Sequence, residues 1–104
     1  HPETLVAHFQ SIQILDHLGQ YPEALAAIEE LLPVRERVSG KEHPETLAAR
    51  FLRIQILDHL GQYPEALAAI EELLPVWKRV SGKEHPHILV AHSLRIHILD
   101  HLEK

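Results

Sequence analysis

The stretch His43-Pro44-Glu45-Thr46-Leu47-Ala48-Ala49-Arg50-Phe51-Leu52-Arg53-Ile54-Gln55-Ile56-Leu57-Asp58-His59-Leu60-Gly61-Gln62 decides the architecture. Pro44 suits the first helical position, where a missing N–H costs nothing. Glu45 beside it complements the positive end of a helix. Leu47, Phe51, Ile54, Leu57 and Leu60 recur at spacings of three and four, which predicts one apolar helical stripe. Gly61 ends the run, as a left-handed cap allows. Tyr63-Pro64-Glu65 then opens a second helix with a stripe of Ala66, Leu67, Ile70, Leu73, Leu74 and Val80. Its early Glu65, Glu71 and Glu72 and late Lys78 and Arg79 match the helix dipole, and Ser81-Gly82 stops it. The loops are short, so neighbouring helices run antiparallel. No strand-like alternation occurs.

Outward from this stretch, the chain repeats itself. His1-Pro2-Glu3-Thr4-Leu5 returns at His43 and, altered to His-Pro-His-Ile-Leu, at His85, a period of 42 residues. Residues 1–42 and 43–84 differ at six places: Val6/Ala48, His8/Arg50, Gln10/Leu52, Ser11/Arg53, Arg35/Trp77 and Glu36/Lys78. Residues 85–104 form half a third unit and match 43–62 at 12 positions. The predicted fold is all-α, five helices in tandem antiparallel pairs, one repeat domain of about two and a half units over 1–104. Such near-identity points to recent duplication or deliberate construction. Pro33 and Pro75 fall inside the second helix of each unit, where a proline loses a hydrogen bond and clashes with the preceding turn. The apolar Leu32, Val34 and Val38 around Pro33 favour a kinked or near-continuous helix over a break.

Composition narrows the function. Of 104 residues, 45% are hydrophobic and 24% charged, and 10 Lys+Arg stand against 15 Asp+Glu for a net charge of −5. This acidic balance argues against a nucleic-acid partner, which needs a clustered positive patch. No apolar run approaches the ~20 residues of a membrane helix, and no secretory signal opens the chain. Methionine is absent, so the chain is expected to be a fragment of a larger protein, with the cytoplasm as default compartment. Without cysteine there are no disulfides, thiolate nucleophiles or common structural zinc sites. The ten histidines equal Lys and Arg combined, and protonating all of them would move the formal charge from −5 to +5. Solubility is therefore expected to be poorest near the sequence pI of 6.0.

Leu18-Gly19-Gln20-Tyr21-Pro22-Glu23-Ala24-Leu25 and Gly40-Lys41-Glu42-His43-Pro44-Glu45-Thr46-Leu47 resemble tetratricopeptide repeats. More narrowly, they are similar to the 42-residue variant found in kinesin light chain and in many bacterial and fungal signalling proteins. The resemblance covers the whole chain. It implies stacked helix pairs in a right-handed superhelix whose concave face, lined by first helices, holds a peptide. Carried over by position, that face would present Val6, Phe9, Gln13, Asp16 and His17 from the first unit. The second would give Ala48, Phe51, Gln55, Asp58 and His59, and the half unit Val90, Ser93, His97, Asp100 and His101. Where relatives carry Asn-Asn-Leu-Ala this chain has Phe51-Leu52-Arg53-Ile54, and the Lys/Asn set that grips a C-terminal carboxylate is absent. No carboxylate clamp is expected.

The remaining motifs read as structure. Asp16-His17, Asp58-His59 and Asp100-His101 recur, but adjacent helical residues point about 100° apart and share no reacting group. They read as a polar groove wall, with no catalytic residues. His97 and His101 are four apart and could reach one metal, yet zinc wants three or four ligands, and Gln13 and Gln55 occupy the equivalents of His97. No metal site and no cofactor are predicted. His1, His43 and His85 read as caps before the helix-starting prolines, and His87 as a solvated loop residue. Trp77 reads as cover for the next unit rather than an exposed anchor. Arg50 and Arg53 read as a solvated or ion-paired face. The chain therefore reads as a non-catalytic scaffold for a protein or peptide partner. Two other readings stay open: a structural or designed array that self-associates without a ligand, and a weak His-based metal binder. Apolar end faces lacking polar capping helices invite stacking of copies or homo-oligomers.

Overall fold

The computed structural model describes residues 2–82 and 85–103. It contains α1 (Pro2–His17), α2 (Tyr21–Ser39), α3 (Pro44–His59), α4 (Tyr63–Ser81) and α5 (Pro86–Leu102). Helices α1, α3 and α5 are the first helices of their units, and α2 and α4 the second.

Local chemistry sets the boundaries. His43 Nδ1 accepts the Glu45 N–H at 3.1 Å, and His85 Nδ1 accepts the His87 N–H at 3.2 Å, so both histidines cap a helix whose next residue is proline. The same role expected for His1 lies outside the described residues. After α3 the chain turns on Gly61 at φ +78°, with Gly61 N–H donating to the Asp58 carbonyl and Gln62 N–H to that of Leu57. This pair of bonds recovers two carbonyls that a helix end leaves unpaired. Gly19 repeats it at φ +80° after α1.

Pro33 and Pro75 lie within helices that run unbroken to Ser39 and Ser81. Both prolines are exposed. The carbonyls they deprive of a partner, four residues earlier at Glu29 and Glu71, therefore face water, which limits the cost.

The core is two clusters in series. Leu5, Ile12, Ala24, Ile28, Leu31, Ala49, Leu52 and Ile56 form the first around α2. Leu47, Ile54, Leu57, Ala66, Ile70, Leu73, Leu74, Trp77, Ile88, Ala91 and Ile98 form the second around α4. Helix α3 thus buries two faces: Ala49, Leu52 and Ile56 toward α2, and Leu47, Ile54 and Leu57 toward α4. Burying each of its large aliphatic side chains contributes about 1.5–3 kcal/mol. This makes the stack a nearest-neighbour array. Sequence periodicity showed only the second of these faces. It also placed Val80 in the stripe of α4, but Val80 is 38% exposed, and the inward position near that end belongs to Trp77.

Each junction between units carries one substituted pair. Between the first and second units, Arg35 is buried, and its Nη1 donates to Glu45 Oε2 at 2.8 Å. Between the second unit and the half unit, the same positions are Trp77 and His87, whose rings pack 5.4 Å apart. Trp77 is 3% exposed and also meets Phe51 edge-on at 5.3 Å. His87, expected as a solvated loop residue, instead sits in the first turn of α5 against this indole. Arg53–Glu29 at 3.4 Å and Arg95–Glu71 at 3.6 Å tie each later first helix to the second helix before it.

Candidate functional site

Helices α1, α3 and α5 touch one another in sequence, whereas α2 and α4 do not meet among the described residues. The first helices therefore occupy the tighter side of the stack. A row of polar groups crosses them near their C-terminal ends. His59 Nδ1 donates to Asp16 Oδ1 at 2.8 Å, joining α3 to α1. One unit on, His97 Nε2 lies 3.3 Å from Asp58 Oδ1, joining α5 to α3. The second contact has ion-pair distance but not hydrogen-bond alignment, and this buried Asp58 oxygen has no hydrogen bond among the described residues.

Tyrosines flank the row. Tyr21 and His59 rings lie 4.8 Å apart, and Tyr63 stacks on His101 at 4.5 Å with planes 20° apart. His101 Nδ1 donates to the His97 carbonyl at 3.0 Å. In the half unit His101 is therefore held by Tyr63 and its own helix, and His97 takes the place beside Asp58 that His59 takes beside Asp16. The Asp–His neighbours in sequence do not pair with each other. Each aspartate reaches a histidine of the following unit, 43 or 39 residues later.

The other positions divide by burial. Val6, Gln13, Val90, Ser93 and Asp100 are exposed, and Ala48 and Gln55 are half-buried. His17 is exposed at the end of α1. Phe9 packs onto the first cluster and Phe51 onto the second, which leaves both half-buried. Sequence reading missed Tyr21 and Tyr63 as ring partners. A signal was available: a tyrosine stands four residues after each of His17 and His59 at the full repeat period.

The array offers no reactive grouping. Among the described residues, no three or more His, Asp or Glu side chains converge as a metal would require. His97 and His101, four apart, meet edge to face at 4.4 Å. No described helix is long and apolar enough to cross a membrane.

Two grooves run between first and second helices. His8, Ser11, Ile12, Ala27 and Glu30 help to line one of about 540 Å³ between α1 and α2. Arg50, Arg53, Ile54, Ala69 and Glu72 line its repeat-equivalent of about 370 Å³, where Leu32 and Glu36 of α2 add a further wall.

The tetratricopeptide-repeat family profile matches residues 13–45 and 55–87, more than half of the chain, with starts one repeat period apart. No curated protein matches significantly. Among solved structures, the chain is similar to the nearly identical TPR-like repeats of a Podosopora anserina protein assigned as a kinesin light chain. The TM-score is 0.82 at 22% identity, over 96% of this chain and 47% of that one. A Gln-to-Met variant of those repeats gives 0.76 at 20% identity, over 97% and 54%. The chain thus spans about half the length of these structures, and the likeness concerns the fold. With two profile matches set on antiparallel helix pairs at a 42-residue period, the chain belongs to the tetratricopeptide-repeat family.

Proposed function

We propose that this chain is a non-catalytic scaffold, one repeat domain of units 1–42, 43–84 and 85–104, that holds a peptide or protein segment along its first-helix side. The Asp16–His59 and Asp58–His97 row carries this reading. It fixes polar groups at unit spacing, yet leaves the His59 and His97 side chains 41% and 50% exposed to a ligand. Exposed Val6 and Val90 supply apolar contact on the same helices. Apolar and acidic groups together favour an apolar, mildly basic segment.

The test is selection of binders from a displayed random-peptide library, followed by affinity measurement against variants. Gln55→Ala and His97→Ala are expected to weaken a selected peptide at least fivefold with helix content unchanged. Selected peptides whose affinity is the same for both variants, or no enrichment at all, would reject this face as the binding surface.

A further inference from the structure

The outer face of α5 is apolar and uncovered. Leu89 and Ile96 are 62% and 65% exposed, and Leu99 is half-buried beside them. One period earlier the same positions are Leu47, Ile54 and Leu57, at 0%, 1% and 1% exposure beneath Ala66, Ile70 and Leu73 of α4. In the first unit Leu5 and Ile12 are sealed in the same way against α2. The molecule therefore displays this seat three times, twice filled, and the occupant is the same kind of helix each time.

Charge follows the same register. His8 shares its groove with Glu30, and Arg50 shares the equivalent groove with Glu72. His92 of α5 occupies the third copy of that position, available to a glutamate on an incoming helix. The turn chemistry differs, however. Gly19 and Gly61 reverse the chain at positive φ so that α2 and α4 fold back onto their partners, whereas the third position is Glu103, right-handed at φ −83° and ψ −10°. The glycine turn that lays a second helix on a first is not encoded here.

We propose that this face of α5 is a docking seat for an amphipathic helix of the α2/α4 type contributed by a separate polypeptide chain. The recognised helix carries small and branched apolar residues at the spacing of Ala66, Ile70, Leu73 and Leu74, with a glutamate at the place of Glu72. The surface lies on the side of α5 away from α4, so it is independent of the proposed peptide groove.

The experiment titrates the full chain with a fluorescein-labelled synthetic peptide of the sequence 63–81, read by anisotropy, with a scrambled peptide as control. Saturable binding of the ordered peptide is expected. A Leu89→Glu/Ile96→Glu variant should weaken it at least tenfold, and Ile14→Glu at the opposite end should leave it unchanged. Both altered positions of the double variant are exposed, and circular dichroism checks the fold. Ile96→Gln is the milder substitute if the double variant loses helix. Absence of saturable binding overturns the proposal. So does binding indifferent to the α5 variants, which would mean exchange with the internal α4. Sedimentation showing a dimer that the α5 variants break and the peptide does not displace would give the face to a second copy, and would also overturn it.

Discussion

Replacing Glu45 with alanine leaves the Arg35 guanidinium in the junction between the first two units without its carboxylate. Arg35 is 4% exposed, and its Nε has no hydrogen-bond partner, so the 2.8 Å bond from Nη1 to Glu45 is the contact that compensates its burial. Loss of a fully buried partner costs about 3–5 kcal/mol, and a hydrogen bond to a charged group contributes about 1.5–3 kcal/mol. The Glu45 side chain is 54% exposed, so water reaches its end of the pair and the lower range applies. Loss of a carboxylate from the first turn of α3 adds about 0.3–1 kcal/mol. The expected cost is about 2–3 kcal/mol, or roughly 8–12 °C in Tm at the ~4 °C per kcal/mol suited to this size. Urea and thermal unfolding by circular dichroism read it. In an Arg35→Ala background, Glu45→Ala should cost under about 1 kcal/mol, because only the helix-end contribution is left. His87→Ala at the other junction should cost only about 0.5–1.5 kcal/mol, since it removes a ring contact and strands no charge. A Glu45→Ala cost below about 0.5 kcal/mol, or an equal cost in both backgrounds, would refute the reasoning.

Other predictions come from single positions. Thr46 is fully buried with an unpartnered hydroxyl, and its equivalent in the half unit is Ile88, so Thr46→Val should stabilise by about 1 kcal/mol in urea unfolding. Gly61→Ala should destabilise by about 1–2 kcal/mol, since no atom lies within 4 Å of an added Cβ and the cost is purely that of φ +78°. A variant as stable as the parent would show that the turn had relaxed. Asp16→Asn keeps an acceptor for His59 and should cost less than Asp16→Ala, with both losses within about 1 kcal/mol at this partly exposed pair. Solubility measured from pH 5 to 8 should pass through a minimum near 6.0, and a flat profile would contradict the charge arithmetic.

The legible parts of the fold were those decided within one turn of chain. Pro44 and Pro64 start helices and Gly61 and Gly82 end them through local geometry, so helix limits and the repeat could be read directly. What escaped reading depends on partners a unit away. Ala49, Leu52 and Ile56 looked like filler between the residues of one stripe, although they form a second buried face against α2. The aspartate–histidine row was hidden because each adjacent pair diverges on its helix, and the true partners are 43 or 39 residues apart. Among the groove positions, Phe9 and Phe51 were placed by analogy with relatives that carry asparagine. An aromatic ring there finds the apolar clusters instead.

The two substituted junctions bear on how nearly identical units keep their order. With only six differences between the first two units, little else tells one second helix from another during folding. If α5 docked on α2, His87 would meet a guanidinium, with no carboxylate to neutralise it. If α3 docked on α4, Glu45 would lose its cation and press against an indole. Each mispairing discards a matched contact, so these positions work as a key that fits one lock, discouraging skipped units and exchange between molecules.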